Sequence, residues 1–572
     1  MSQKKTKRER KKKKVPDQVQ NDKKEFLGIR KILKENWKFL VGLCVGVILL
    51  YANSLAGDFV SDDYASITQN PGVTNVRVMF SNFNFVSVST YLIAKIFGIG
   101  SPVPYHFFSL ILYLLNCLTV FVLVHVLFGE KTAKINAVIF AVLPIHVEAV
   151  SWISGKPYLL VSLFVLLSLL FAVLYLNKRN FYYLVLLILS FLCSFMGDRT
   201  RALAFVFLLI WYLLSYNQRL EKPVSLFKIF LGGGGVIIIV GAIFWPLIAD
   251  RISSVNGGYN GNGEMFYNPF FQYPTAVAKY LQLLWFPIDL TLYHTLYNFP
   301  VWLNWLIFLS YVFCLIYFLF KNRNLFFALG FIFMATAPSM APVKVSWLVA
   351  ERYMFLGSVG FCLFLTLLLC QIKEKSKTFF WLGLFIFVGF YSTRTFLRNI
   401  NWQTNHNLWV NTCQVSPNSH NAWNNIGDDY DKLGQYEDAI KGFSQSTVVK
   451  PNYADAYHNR ANIFFKIGRL DLARDSYNTA LTIAPGLFQT YISLAQIDLS
   501  EGKNQLAVEH AQKLVELQAN DPQAHYVFGI VLAKVGLIEE AKNEMKLSLQ
   551  ISPAFKPARD TLTELENIKL IN

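Results

Sequence analysis

Charge is scarce in this chain. Only 16% of its 572 residues are Asp, Glu, Lys or Arg, against 54% hydrophobic residues and 50 Phe. A soluble protein of this length would carry more charge. The apolar excess lies between about Trp37 and Arg398, in runs long enough to cross a bilayer. Paired cysteines are also lacking. Cys44, Cys117, Cys193, Cys314, Cys362 and Cys370 lie in apolar runs, and Cys413 stands alone in the polar part. That excludes a disulfide framework and any zinc-ligand spacing, and no metal is expected. No small-residue cleavage site follows the first apolar run, so a removable signal peptide is not expected there.

What charge there is has a place. The net charge is +17, and much of it sits in the run from Lys4 to Lys14. Such a run could bind nucleic acid, but a membrane span follows directly. It reads instead as a cytoplasmic anchor that fixes orientation and touches anionic lipid, with no nucleic-acid partner. Composition then divides the chain: a basic tail over 1–36, a transmembrane domain over 37–400, a linker over 401–419, four repeats over 420–555 and a capping helix over 556–572. The expected fold class is all-α.

Apolar helices are expected at 38–55, 106–128, 132–150, 157–176, 181–196, 201–216, 226–248, 301–320, 324–341, 352–371 and 378–397, about eleven spans. With the basic tail inside, every second loop should be cytoplasmic and basic. Those loops hold Lys131 and Lys134; Lys178 and Arg179; Arg219 and Lys222; Lys321 and Arg323; Lys373, Lys375 and Lys377. An odd span count puts the repeats, and the loop after Leu55, on the non-cytoplasmic side. A prokaryotic plasma membrane is the expected location, with the endoplasmic reticulum as the alternative.

From Pro417 the chain repeats every 34 residues. Pro417, Pro451, Pro485 and Pro553 are in register, as are Ala439, Ala473, Ala507 and Ala541, and Gly434, Gly468, Gly502 and Gly536. The first unit carries Trp423, Ile426, Gly427, Tyr430, Ala439, Phe443 and Pro451, which fits the tetratricopeptide pattern. Small residues let paired helices approach, Gly permits the turn between them, and Pro marks the stop. The first helices would line a concave groove with Asn424, Asp428, His458, Asn462 and Gln496. Amides there can hydrogen-bond an extended peptide, so a protein or peptide partner is expected; an ordinary solvated face is the alternative.

Ionisable residues recur at the membrane ends assigned to the outer face. Asp62 and Asp63 follow the first span. Adjacent carboxylates raise each other's proton affinity, which suits a general base; a helix cap beside a solvated acid would look the same. His146, Glu148 and Lys156 follow the third span. Asp198, Arg199 and Arg201 separate the fifth and sixth. His294 ends an amphipathic stretch, and Lys344, Glu351 and Arg352 precede the tenth span. Any of these could be a structural ion pair. Together they give a phosphate-bearing substrate its cations and a hydroxyl its base.

These stretches resemble the transmembrane and tetratricopeptide-repeat O-mannosyltransferases. The likeness runs through Asp62-Asp63 with Asn70-Pro71, through Pro144-Ile145-His146-Val147-Glu148 with Gly155-Lys156, through Tyr280 to Leu292 with Pro287, and through Ala350 to Gly360. It covers nearly the whole chain after Ala52. Three places depart from the family: Asn84 to Ser89 has no Arg-Pro pair, His106, Ser109 and Tyr113 stand for a His-x-x-Asn-x-x-x-His pattern, and Gly197-Asp198-Arg199 replaces Lys-Glu.

The resemblance implies a C-type glycosyltransferase fold (GT-C) and a polyprenyl-phosphate-linked sugar as donor. It makes Asp62 the general base, supported by Asp63. It makes His146, Glu148, Arg199, Arg201 and Arg352 donor contacts, and Lys156, His294 and Glu351 are expected to join them as ionisable residues on the same face. Attack by a Ser or Thr hydroxyl would invert the anomeric carbon, with no obligatory metal. Two rivals remain: a non-enzymatic membrane scaffold, and a GT-C enzyme acting on lipid or glycan.

Overall fold

The computed structural model describes residues 28–81, 84–220, 269–295, 299–340 and 347–568, with a few single positions between 223 and 249. The run Lys4 to Lys14, most of 226–248, Lys222 and Lys344 lie outside the described residues. Among the described residues every regular element is helical. The chain divides into two compact units: Met1–Ile288 with Phe299–Ile400, and Asp289–Asn298 with Asn401–Asn572.

In the first unit, five described helices are long and apolar enough to cross a membrane. They are Trp37–Ala56, Val103–Phe128, Ile153–Lys178, Val301–Lys321 and Lys377–Asn401. A sixth span results if the bent pair Glu130–Ala141 and Pro144–Ser151 counts as one. Five or six of the expected eleven spans thus meet that test among the described residues, and the one expected at 226–248 lies outside them. Phe181–Gly197 has 17 residues and Arg323–Thr336 has 14. At about 1.5 Å per residue, such helices fall short of a hydrocarbon core of about 30 Å. Hydropathy counts residues and does not see where a helix breaks.

Val103–Phe128 and Ile153–Lys178 form the interior, with Val120, Phe121, Leu159, Val165 and Leu166 buried. Val301–Lys321 and Lys377–Asn401 are peripheral and turn apolar side chains outward, Phe313 at 68% and Phe385 at 78% exposure. In water such rows would be unfavourable; facing lipid they are not.

The 59° bend near Pro144 explains several distant polar contacts. Pro has no N–H to continue the ladder, so carbonyls just before it need other donors. Thr395 Oγ1 donates to the Val142 carbonyl at 2.7 Å. The Tyr113 hydroxyl lies 3.2 Å from the Phe140 carbonyl and 3.1 Å from that of Ala141.

The second unit is a stack of helix pairs. They are His420–Lys432 with Tyr436–Val449, Ala454–Lys466 with Leu470–Ile483, Phe488–Ser500 with Asn504–Leu517, and Pro522–Lys534 with Ile538–Ile551, followed by Lys556–Ile568. Gly468 turns between its two helices at φ 75°, a left-handed value that side chains disfavour. A Cβ on Gly427 would come within 2.8 Å of the Phe443 ring, so the first pair needs a bare backbone there. The stretch expected as a linker instead holds a helix, Asn405–Val415. Thr404 caps it by accepting from the Asn407 N–H, and Leu408, Trp409, Thr412 and Cys413 bury one face.

Candidate active site

The loop after the first span folds back on itself. Asp63 is fully buried. Its Oδ2 accepts from the Val60 N–H at 3.1 Å, and its Oδ1 from the Ser154 N–H at 2.8 Å and the Ser154 hydroxyl at 2.5 Å. Burial nonetheless dominates and lifts its carboxyl from 3.8 to about 6, against the pull of those bonds and of the Lys156 ammonium. Asp62 is exposed. Ser61, just before the pair, sits at φ 54°, a left-handed conformation that marks a tight turn. The two aspartates therefore differ in environment: one clamps the turn and the other is presented by it.

Beside this clamp lies a cavity of about 320 Å³. Its polar lining includes Ser66, Asn70, Ser87, Thr90, Tyr91, Ser154 and Lys156, and its apolar wall Ile67, Val73, Val78 and Val86. Lys156 is 2% exposed, donates to Thr90 Oγ1 at 3.0 Å and lies 5.3 Å from the Tyr105 ring centre. The Ser66 and Ser154 hydroxyls are 3.3 Å apart. A buried ammonium with one hydroxyl acceptor beside open volume suits an anionic ligand.

A second cluster gathers around Arg352. Glu148, fully buried, accepts from the Arg352 N–H at 2.8 Å and from its guanidinium. Arg352 Nε also donates to the Tyr158 hydroxyl at 3.1 Å. Arg201 stacks over the Tyr158 ring at 4.4 Å and the Tyr353 ring at 5.1 Å, and pairs with Asp198. Both cations thus have carboxylate partners and aromatic faces.

The remaining expected site residues go elsewhere. His146 is fully buried between Tyr113, Phe140 and Phe355. Its Nδ1 is 2.9 Å from the Tyr113 hydroxyl and its Nε2 is 2.7 Å from Ser358 Oγ. Ser358 in turn donates to the Phe355 carbonyl and so accepts from His146 Nε2–H, while the single Tyr113 hydroxyl proton is shared among His146 Nδ1 and the Phe140 and Ala141 carbonyls. Both ring nitrogens are committed to packing. Glu351 pairs with buried Arg398 at 3.0 Å. Arg199 is exposed. His294 falls in the second unit with Asp289–Asn298.

In the repeats, three of the expected groove residues make hydrogen bonds inside the stack. Asn424 accepts from Asn459 at 3.1 Å, His458 meets Thr490 Oγ1 at 2.9 Å, and Asn462 accepts from Tyr477 at 2.5 Å. Gln496 is exposed, and Asp428 pairs with exposed Lys432. The sequence reading missed Ser154, Thr90, Tyr158 and Tyr353. Ser154 and Tyr158 flank the singled-out Gly155-Lys156, the one signal that could have found them.

The class these features define is a helical membrane protein that carries a tetratricopeptide array. A family model described as dolichyl-phosphate-mannose-protein mannosyltransferase matches residues 86–245. Tetratricopeptide-repeat models match 427–468 and 454–487. Human protein O-mannosyl-transferase TMTC3 is 24% identical over 471 residues, 72% of this chain and 51% of that protein. The Drosophila melanogaster protein O-mannosyl-transferase Tmtc3 is 26% identical over 130 residues, 22% of this chain and 14% of that one. The chain thus spans about half the length of the human relative. The crystal structure of the MamA protein aligns with TM-score 0.24 and 21% identity over 26% of this chain and 81% of that chain.

Proposed function

We propose that this chain is a membrane glycosyltransferase that moves mannose from a polyprenyl-phosphate donor to a Ser or Thr hydroxyl of a protein. The observation that carries this reading is the paired-aspartate turn: Asp63 clamped by Ser154 at the wall of a cavity holding a buried ammonium, and Asp62 exposed next to it. The names of the related proteins support the sugar and the acceptor class. In this reading Asp62 takes the proton of the acceptor hydroxyl. The hydroxyl oxygen bonds to the anomeric carbon as the carbon–phosphate oxygen bond breaks on the opposite side, so the centre inverts. The phosphate leaves with the electron pair, and Lys156 stabilises its charge. The cluster of Glu148, Arg201 and Arg352 supplies the further donor contacts in this reading. His146 acts through packing. The repeats hold the acceptor through exposed Asp428 and Gln496, and they lie with Asp62 on the non-cytoplasmic side, opposite the basic tail.

The test is mannose transfer in membranes from radiolabelled polyprenyl-phosphate mannose, comparing the native chain with Asp62→Asn. Label entering protein only with the native chain supports the reading. Equal labelling removes Asp62 from the chemistry. Label entering lipid or glycan rather than protein moves the acceptor, and failure with a panel of donors favours a scaffold.

A further inference from the structure

The repeat period puts Ile426, Arg460, Leu494 and Phe528 in one slot, where three units place an apolar side chain and the second places a guanidinium. Arg460 lies on Ala454–Lys466 and reaches between two neighbouring helices. It approaches Ser444 Oγ of Tyr436–Val449 at 3.4 Å and Ser476 Oγ of Leu470–Ile483 at 3.5 Å, both long for hydrogen bonds. Its Nε is buried without a partner. Tyr457 stacks on it from one turn earlier, 5.2 Å from the ring centre. Burial lowers its proton affinity, and no carboxylate is among the groups that offset this. By contrast Arg474, on the same stack, holds both Asp498 and Glu501. A guanidinium carries five donors in a planar fork, and a partly buried one is costly unless an oxyanion meets it. Each serine that accepts from the fork keeps its own O–H to donate.

We propose that Arg460, reaching between Tyr436–Val449 and Leu470–Ile483, receives a carboxylate side chain of a polypeptide partner, with the Ser444 and Ser476 hydroxyls as additional donors. The surroundings favour a polypeptide over a free anion. Val448, one turn beyond Ser444, is 70% exposed, and Leu472, one turn before Ser476, is 40% exposed. They offer apolar contacts to the residues flanking a carboxylate. Across Tyr436–Ile483 the acids Glu437, Asp438, Asp455, Asp471 and Asp475 nearly balance the bases, and Lys441 and Lys466 already pair with Asp438 and Asp431, so the attraction for a carboxylate rests on Arg460 itself. This site is separate from the groove residues and does not depend on glycosyl transfer.

The experiment is hydrogen–deuterium exchange on the full chain in lipid nanodiscs, following segments from 436 to 483. The probes are a short peptide of Glu and Leu, its Gln and Leu counterpart, and inorganic phosphate. Arg460→Leu is the comparison, and it should fold because Leu494 fills the same slot. Severalfold slower exchange with the Glu peptide, absent with the Gln peptide and lost in Arg460→Leu, is the expected result. No protection, or equal protection in Arg460→Leu, would overturn the site. Protection by phosphate but not by the Glu peptide would overturn the polypeptide assignment.

Discussion

Ser154 gives Asp63 two hydrogen bonds at one oxygen, its N–H at 2.8 Å and its hydroxyl at 2.5 Å, across 91 residues of sequence. Those bonds favour the charged form, but burial outweighs them and lifts the carboxyl from 3.8 to about 6. The folded chain therefore binds a proton more tightly than the unfolded one over that interval. This contribution to stability is fully present below the lower value and is lost as pH rises through the upper one, about 3 kcal/mol in all. Thermal unfolding of the native chain and of Asp63→Asn should be compared at about pH 4 and pH 7. The native chain should lose more stability over that rise than the variant. Equal slopes would mean that Asp63 is not buried as a carboxylate.

Gly155 is the hinge between Ser154 and Lys156. A Cβ there would stand 2.8 Å from the Ala149 carbonyl oxygen and 2.9 Å from that of Glu148, both backbone atoms. Backbone cannot swing aside as a side chain can, so Gly155→Ala must shift the start of Ile153–Lys178. The expected cost is about 1–3 kcal/mol in chemical unfolding. Displacing Ser154 and Lys156 should cut transfer more than this instability explains. A variant with native stability and native transfer would contradict the packing described.

Glu148 and Arg352 form a buried pair, with Arg352 at 9% exposure. Glu148→Gln leaves a guanidinium without its counter-charge and should cost about 3–5 kcal/mol. Replacing both residues by apolar ones of similar size should recover most of that. A double-mutant cycle measured by chemical unfolding separates these outcomes. Additive losses would show that the two groups do not interact.

The repeats were legible because each pair obeys local rules. The 34-residue step of Gly and Ala falls where the turns and close approaches require it. The membrane region was legible in kind, but among the described residues only five or six of the expected spans are matched by helices long enough to cross a membrane, because hydropathy does not register the length of a helix such as Arg323–Thr336. The site was legible only in part. Asp62, Asp63 and Lys156 stood out as charges in an apolar setting, but nothing in the sequence said which aspartate is buried. That depends on Ser154, an unremarkable serine until the fold brings it to Asp63. His146 stood out equally and is held by Tyr113 and Ser358, since a buried imidazole with two hydrogen bonds satisfies itself without a ligand.

Lys156 allows a test in which stability and function move in opposite directions. The residue is 2% exposed, and its ammonium has Thr90 Oγ1 as hydrogen-bond acceptor and Asp63 as the nearby negative charge. A structural lysine would be missed on removal. One kept for a ligand should be a burden when the cavity is empty. Lys156→Met keeps the length and apolar stem, so it should raise the unfolding free energy by about 1 kcal/mol or leave it unchanged. The same change should lower mannose transfer at least tenfold, because the leaving phosphate loses its cation. Lys156→Arg, which keeps the charge, should retain part of the activity. Loss of stability together with loss of transfer in Lys156→Met would place the lysine in the packing and remove it from the reaction.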